Sequence, residues 1–131
     1  MKLSFIIIDD RELDCFITKK IIQETGLDCA IEIFFDATSG LNFIKKVPTI
    51  NAITVILLDI LMPVMNGYQF IEEFEILPEE IRKKYKIIAI TTSLNKIEIA
   101  KISNYDEVIT VLKKPYDRKA LVNALEIIMP I

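Results

Sequence analysis

Hydrophobic positions along this chain fall into two alternating patterns, which are short apolar runs and longer segments with helical spacing. The short runs are rich in β-branched residues and predict five strands, at residues 3–8, 30–35, 53–58, 86–90 and 108–112. The longer segments predict helices at 11–25, 36–46, 68–77 and 95–104, and a last helix from 117 or 118 to about 129. Asp36 is expected to cap the second helix, and Pro48, Pro78 and Pro130 are expected to end the units that precede them. The polar stretch at 79–85 is expected to contain one turn of helix.

The alternation of strands and helices indicates five βα units. Strand–helix–strand crossovers are right-handed, and they build a parallel sheet with helices on both faces. The strand at 53–58 is apolar on both faces, as expected of a central parallel strand. We therefore predict the α/β class, with a doubly wound, flavodoxin-like sheet of five parallel strands in the order 2-1-3-4-5. A (βα)₈ barrel is excluded because it needs roughly 250 residues. The five units use the whole of residues 1–131, so we expect one domain without an output domain.

Composition excludes several classes of function. The net charge of −3 provides no electrostatic basis for binding nucleic acid. The chain contains no His and two Cys, which argues against a zinc site and excludes Ser-His or Cys-His catalysis. No apolar run reaches the ~18 residues of a membrane-spanning helix, and no signal peptide is visible, so a cytoplasmic location is expected. Chemistry must therefore come from carboxylates, lysines and hydroxyls.

Polar residues follow four of the predicted strands at the point where each strand ends. Asp9 and Asp10 follow the first strand, Asp59 the third, Thr91 the fourth and Lys114 the fifth. Each of them has an ordinary alternative: the acids could cap a helix or a loop, the threonine could simply end a strand, and the lysine could be a solvated surface charge. In an open α/β sheet, however, ligands bind beyond the carboxyl ends of the strands. The four strand ends together therefore indicate one site.

The residue types at these strand ends suit phosphoryl transfer. Three converging carboxylates would repel one another, and a hard divalent cation relieves that repulsion. Mg²⁺ prefers oxygen ligands, and Mn²⁺ is the alternative. Lys114 provides a positive charge for a phosphoryl oxygen, and Thr91 provides a hydroxyl donor. Because phosphoryl transfer needs mainly positioning and charge neutralisation, Asp59 is the expected nucleophile, forming an aspartyl phosphate.

Four segments carry a resemblance to a known family: IIIDD at 6–10, LLDILMPVMNGYQF at 57–70, IIAITTS at 87–93 and KKP at 113–115. Together they resemble the CheY-like receiver domains of two-component response regulators over nearly the whole chain. The Asp-x-x-Met-Pro-x-Met-Asn-Gly stretch is the most specific of them. The resemblance implies a signalling domain rather than an enzyme, which receives a phosphoryl group from a histidine kinase or a histidine phosphotransfer protein and requires Mg²⁺.

The resemblance also implies a role for each site residue. Asp59 is the implied phosphoacceptor and one ligand of the metal. Asp10 is the implied direct metal ligand and Asp9 its outer-sphere partner, while the backbone carbonyl of Leu61 completes the protein ligands. Thr91 is the implied switch hydroxyl and Lys114 the residue that binds the phosphoryl oxygen, with a cis Lys114–Pro115 peptide bond.

Two features depart from the family pattern. An aromatic ring is common three residues before the lysine, but Val111 occupies that position, so we expect the signal to travel through backbone shifts near Thr91 instead. Leu61 and Ser93 lie two residues beyond Asp59 and Thr91, at positions that tune hydrolysis of the acyl phosphate. Since an apolar Leu61 cannot hydrogen-bond an attacking water, we predict a long-lived phosphoryl state.

Surface positions suggest where partners bind. In the first helix, Leu13, Phe16, Ile17 and Ile21 are expected to pack mostly on the sheet, with Leu13 or Phe16 left exposed for the phosphoryl donor. The downstream protein is unknown, and the output surface of such domains has its candidates here at Lys96, Lys101, Tyr105 and Tyr116. No nucleic acid or membrane partner is expected, and the chain is expected to be a monomer or a phosphorylation-dependent dimer.

Three alternatives differ in their chemistry. A receiver-like module could bind partners without being phosphorylated, although the acids, threonine and lysine are all present. A haloacid-dehalogenase-type phosphatase also uses an Asp nucleophile and Mg²⁺, but it needs an Asp-x-Asp arrangement at the first strand and often a cap. A flavodoxin-like FMN carrier is disfavoured because the acidic residues after the first strand would repel the FMN phosphate.

Overall fold

The computed structural model describes residues 2–46, 52–93 and 95–128. Five strands alternate with helices along this part of the chain. The strands are β1 Lys2–Ile8, β2 Cys29–Phe34, β3 Ala52–Asp59, β4 Tyr85–Thr91 and β5 Val108–Lys113. The helices are α1 Glu12–Glu24, α2 Ala37–Lys46, α3 Gly67–Glu75, α4 Glu79–Arg82, α5 Lys96–Ser103 and α6 Arg118–Ile128.

The five strands form one parallel sheet in the order β2-β1-β3-β4-β5. β1 and β3 pair in a register that sets Ile8 opposite Leu58, so the residues after them emerge side by side. Apolar side chains from both faces of the sheet are buried. One core cluster packs β1, β3 and β4 against α2, α3 and α5, and the other packs the same strands against α1 and α6. The predicted doubly wound fold and its strand order are confirmed.

Element boundaries agree with the sequence prediction to within one or two residues. The expected turn of helix is the short helix α4, and α6 follows its predicted course to Ile128. The Asp36 side chain accepts a hydrogen bond from the Ser39 backbone N–H (2.7 Å), which is the predicted cap of α2. Pro48 and Pro130 lie outside the described residues. Within the described ranges, no helix is long and apolar enough to cross a membrane.

Helix α1 packs on a different face from the predicted one. Cys15 and Ile22 are buried, whereas Leu13 is 69% exposed and Phe16 is 64% exposed. Ile17 is also exposed. The expectation that most of the apolar stripe lies in the core is therefore wrong, while the exposure expected for Leu13 and Phe16 is confirmed. The helix carries apolar residues on two faces, and spacing alone does not show which of them meets the sheet.

Candidate functional site

Three carboxylates meet at the carboxyl ends of β1 and β3. Asp9 and Asp10 follow β1, and Asp59 is the last residue of β3. One oxygen of each carboxylate lies within 4.8 Å of the others. Asp9 and Asp59 are buried, whereas Asp10 is exposed. The structure thus brings the three acids together, as the strand ends predicted.

Asp9 is held by bonds from three neighbouring elements. Its backbone N–H donates to the Phe34 carbonyl of β2 (3.1 Å), and its Oδ1 accepts from the Arg11 N–H (3.0 Å). Its Oδ2 accepts from Lys114 Nζ (2.8 Å), and its backbone carbonyl accepts from Cys15 Sγ (3.3 Å). The Asp9 carboxylate is therefore fixed in direction between the start of α1 and the ammonium group.

The surroundings of Asp59 disfavour the negative charge of its carboxylate. Its Oδ1 accepts a hydrogen bond from the Leu61 N–H (3.4 Å) and lies 3.7 Å from Lys114 Nζ. Burial, and after it the negative charge of Asp9, raises the pKa of Asp59 to about 7 against the opposing effect of Lys114. In the protein without a cation, a proton competes for Asp59 near neutral pH.

Lys114 lies at the centre of the acidic residues. Its Nζ donates to Asp9 Oδ2 (2.8 Å) and to Asp14 Oδ2 (2.9 Å). Burial opposes the charge on Lys114, but the hydrogen bonds to Asp9 and Asp14 outweigh it and raise the lysine pKa above its ordinary value. The Lys114–Pro115 peptide bond is cis, as expected. Lys114 therefore remains charged across the physiological pH range.

Asp14 is the contact that sequence reasoning missed. It lies in the first turn of α1, which also contains Glu12. The sequence does indicate that α1 begins shortly after Asp10, and a helix that begins there has its first turn next to the strand ends. Nothing in the sequence distinguished Asp14 from Glu12, because the direction of the helix face decides which acid reaches Lys114.

Thr91 ends β4 with its hydroxyl already engaged. The hydroxyl donates to the Ser93 carbonyl (3.0 Å) and accepts from the Ser93 N–H (3.1 Å). The Thr91 carbonyl accepts from the Lys114 N–H (2.8 Å), which joins the ends of β4 and β5. The side chain is buried at the edge of the acidic cluster, and its oxygen is turned toward its own loop.

The loop between β3 and α3 brings the helix directly against the strand end. The Gly67 N–H donates to the Ile60 carbonyl (2.9 Å), and the Asn66 and Gln69 side chains form a reciprocal capping box. A Cβ on Gly67 would lie 2.7 Å from Ile60 Cα and 3.0 Å from the Asp59 carbonyl oxygen. Glycine at this position is therefore required for the close approach of α3.

The residues that are present fit a hard divalent cation. The available side-chain donors are carboxylate oxygens, and the chain has no imidazole to attract a softer metal. One ammonium, that of Lys114, faces the carboxylates of Asp9, Asp14 and Asp59, so negative charge remains in excess at the site. The donor chemistry and the charge both suit Mg²⁺. Leu61, expected to contribute its carbonyl, is the exposed residue whose N–H binds Asp59.

The residues expected to contact partner proteins differ in their exposure and in what they pack against. A groove of about 270 Å³ beside Lys114 separates α1 from the loop after β5. Tyr116 lines this groove, and its hydroxyl is 2.9 Å from Thr18 Oγ1 on α1. Tyr105 is half-buried against the core, whereas Lys96 and Lys101 are exposed.

Comparisons with known proteins agree with this arrangement. The family model of the response regulator receiver domain matches residues 5–126. A response regulator receiver protein from Dyadobacter fermentans is 28% identical, with a TM-score of 0.80 and coverage of 94% of this chain and 98% of that one. A two-component response regulator from Cytophaga hutchinsonii shares the fold at 23% identity, with a TM-score of 0.80 and 98% coverage of both chains.

Chemotaxis protein CheY4 of Vibrio cholerae also shares the fold, at 20% identity and a TM-score of 0.79, with coverage of 98% of this chain and 100% of that chain. The comparison with curated protein sequences found no significant match. The family-model match spans far more than half of the chain and includes every strand end described above. This protein therefore belongs to the response regulator receiver domain family.

Proposed function

We propose that this receiver domain accepts a phosphoryl group on Asp59 in a Mg²⁺-dependent reaction. The donor is a phosphohistidine on a histidine kinase or a phosphotransfer protein. The observation that carries the proposal is a buried Asp59 carboxylate that lies 3.7 Å from the Lys114 ammonium and beside two further acids. Such a group is both a nucleophile and the centre of an unneutralised negative charge.

In the proposed step, one Asp59 oxygen attacks the phosphorus of the phosphohistidine. The new O–P bond forms an acyl phosphate, the P–N bond breaks, and the imidazole nitrogen keeps the electron pair. Asp59 must be deprotonated to attack, so neutralising its surroundings favours the reaction. Asp10, Asp59 and the Leu61 carbonyl would hold Mg²⁺, with Asp9 as the outer-sphere partner, and the bound ion would supply that neutralisation for the carboxylates and the phosphoryl oxygens.

Lys114 and Thr91 provide contacts that differ between the two phosphorylation states. Lys114 already lies close to Asp59, and its ammonium suits an oxygen of the arriving phosphoryl group. Thr91 can donate to the phosphoryl group only after it gives up its hydrogen bond to the Ser93 carbonyl. Phosphorylation therefore moves the Thr91 hydroxyl and the loop that it holds. Because these contacts differ between the two conformations of the domain, they shift the equilibrium between them.

The exposed face of α1 is the proposed contact for the phosphoryl donor. Leu13, Phe16 and Ile17 are exposed beside the site, and Ile17 also lines the groove next to Lys114. An apolar patch at this position suits a partner that must bring a phosphohistidine to Asp59. We further propose that residues 1–131 act as one domain in the cytoplasm, with output through contacts to another protein.

Readout is proposed to proceed without an aromatic switch. Val111 is half-buried against the core cluster that contains α3 and α5, and it has no ring to reorient. The signal would then pass through the Thr91 loop into α5. The exposed, apolar Leu61 beside Asp59 supports slow hydrolysis of the acyl phosphate.

Intact-mass measurement after incubation with acetyl phosphate tests the proposal. The wild-type protein with Mg²⁺ is expected to gain one phosphoryl group, and Asp59→Asn is expected to gain none. Asp10→Asn is expected to lose the Mg²⁺-dependent part of the reaction. Lys114→Ala is expected to slow it by about 100-fold, the loss typical of one electrostatic contact at a reacting group.

Asp28→Asn is the matched control. It removes an exposed carboxylate next to the amino end of β2, whereas the three acids lie at the carboxyl ends of β1 and β3. It is expected to be phosphorylated like the wild type. Absence of an adduct on the wild type would favour a module that binds partners without phosphorylation. Catalytic release of phosphate from a phosphomonoester, without a lasting adduct, would favour a phosphatase instead.

A further inference from the structure

A second group of charged residues lies at the opposite end of the sheet. Glu75 ends α3, Arg82 ends α4, and Glu107 directly precedes β5. The amino ends of the strands meet there, whereas Asp59 and Lys114 lie at the carboxyl ends. The proposed phosphoryl chemistry does not use this group, which we call the Glu75–Arg82–Glu107 cluster.

One guanidinium serves two acids in this cluster. Arg82 Nη1 lies 2.8 Å from Glu107 Oε1 and 3.5 Å from Glu75 Oε2. The Arg82 Nε donates to the Leu77 carbonyl (2.8 Å), which fixes the direction of the arginine. Glu107 is 8% exposed, so its charge is almost completely removed from water. The arginine is well paired with Glu107 and only weakly paired with Glu75.

The two acids each retain a buried oxygen that no donor satisfies. Within the described part of the chain, Glu75 Oε1 and Glu107 Oε2 are buried and receive no hydrogen bond. Buried polar atoms without partners are uncommon because their lost hydration is not replaced. Two carboxylate oxygens are both acceptors, and they can bond to each other only when one of them carries a proton.

We propose that Glu75 and Glu107 share one proton, forming a proton-binding site that joins the end of α3 to the start of β5. The shared proton satisfies both orphaned oxygens and leaves one net negative charge opposite Arg82. It also explains why two acids with a single strong cationic partner are tolerated in a largely buried position.

The electrostatic surroundings assign the proton to Glu75. Burial, and after it the proximity of Glu107, raises the pKa of Glu75 to about 7 against the opposing effect of Arg82. Burial also opposes ionisation of Glu107, but the hydrogen bonds from Glu75 and Arg82 outweigh it and lower the Glu107 pKa. Glu107 is therefore the ionised partner of Arg82.

Loss of this proton would weaken the connection between α3 and β5. Above neutral pH, two adjacent buried carboxylates would face one guanidinium. The Glu107 carbonyl accepts from the Ile87 N–H (2.7 Å), so a shift at Glu107 reaches the neighbouring strand β4. Raising the pH is therefore expected to loosen the amino ends of β4 and β5.

Carboxyl-carbon NMR of the wild-type protein, titrated from about pH 4 to about pH 9, tests the proposal directly. The Glu75 carboxyl is expected to titrate near neutral pH while Glu107 stays ionised. Titration of both carboxyls in the ordinary acidic range would overturn the proposal.

A pair of variants provides the second measurement. Glu75→Gln supplies a permanent N–H donor to Glu107, whereas Glu73→Gln removes an exposed carboxylate from the same helix. The urea midpoint is expected to fall less between about pH 5 and about pH 8 in Glu75→Gln than in Glu73→Gln. Equal falls would overturn the proposal, and if Glu75→Gln does not fold, the wild-type titration decides.

Discussion

At the scale of single residues, the environment of Asp59 destabilises the ionised form of its carboxyl group. Burial and the neighbouring Asp9 both disfavour the ionised Asp59, and the single ammonium of Lys114 is shared with Asp9 and Asp14. The folded protein therefore holds a carboxylate whose negative charge is only partly neutralised. The unfavourable charge should lower the free energy of unfolding, which can be measured.

The first prediction concerns the pH dependence of that stability. The pKa of Asp59 rises from 3.8 to about 7 on folding, so the folded state binds the proton more tightly than the unfolded chain does. The stabilisation is complete below the unfolded pKa and is lost as the pH rises to about 7. Urea unfolding without divalent cations should therefore show a decline on the order of 2 kcal/mol between about pH 4 and about pH 7.

Asp59→Asn is expected to remove this part of the decline and to leave the part that belongs to Glu75. Asp28→Asn, which changes an exposed carboxylate, should retain the whole of it. A decline in Asp59→Asn as steep as that of the wild type would show that burial of Asp59 does not disfavour its charge.

Val64 provides the second prediction at this scale. It has a φ of 67° and is 98% exposed in the loop between Asp59 and α3. A β-branched residue is disfavoured in the left-handed region, and its side chain has little packing there to compensate. Val64→Gly releases strain of about 1–2 kcal/mol and adds an entropic cost of about 0.5–1 kcal/mol. The free energy of unfolding, measured in urea, should therefore increase by about 0.5–1 kcal/mol.

Val64→Ala is the matched control, because it removes the same side chain but keeps a Cβ and therefore most of the backbone strain. A gain in both variants would assign the effect to the exposed valine side chain. No gain in Val64→Gly would mean that the entropy of glycine in the unfolded chain offsets the released strain.

At the scale of elements, the position of α3 depends on one missing side chain. Gly67 allows the first turn of α3 to contact the Ile60 backbone and the Asp59 carbonyl. In Gly67→Ala the added Cβ meets backbone atoms that cannot rotate away, so the helix must shift. We expect a loss of about 1–3 kcal/mol in unfolding free energy, together with slower phosphorylation of Asp59 by acetyl phosphate.

Gly40→Ala separates this effect from ordinary crowding. Its Cβ would also make a very close contact, but with the end of the Ile8 side chain, which can rotate. It should therefore destabilise the protein less and leave the rate of phosphorylation unchanged. Equal effects of the two substitutions on that rate would contradict a specific role for the contact between α3 and Asp59.

Helix α1 illustrates what a pattern of apolar positions leaves undecided. Leu13, Phe16 and Ile17 share a face, but the sheet contacts the face that carries Cys15 and Ile22. The choice follows from how the chain leaves β1, since Asp9 accepts hydrogen bonds from both the Arg11 N–H and Cys15 Sγ. These bonds orient the helix and turn its second apolar face outward, beside the site.

At the scale of the whole molecule, the doubly wound sheet could be predicted from the alternation of strands and helices, and the meeting of the three acids from their places at strand ends. Parallel strands end at one edge, so residues after β1, β3, β4 and β5 must approach one another. The contact of Asp14 with Lys114 and the contacts of Glu75 and Glu107 with Arg82 could not be predicted. They depend on side-chain directions and on elements far apart in sequence, which periodicity does not encode. The hydroxyl of Thr91 likewise required a structure to show that it bonds to Ser93.

Cys15 lies directly behind the acidic cluster, and its thiol donates to the Asp9 carbonyl. It is 2% exposed, and burial, reinforced by the negative charge of Asp9, raises its pKa to about 12. The thiol can react with an alkylating reagent only during a transient opening of α1 from the sheet. The alkylation rate of Cys15 therefore measures how often α1 separates from the sheet next to the acidic cluster.

We expect Mg²⁺ to slow alkylation of Cys15 while leaving Cys29, which is half-buried on β2, unchanged as an internal reference. Peptide mass spectrometry after timed labelling separates the two cysteines. An equal slowing of both would indicate stabilisation of the whole fold, and no slowing of Cys15 would mean that the cation does not restrain α1. The two cysteines therefore report separately on opening of α1 beside the acidic cluster and on opening elsewhere in the fold.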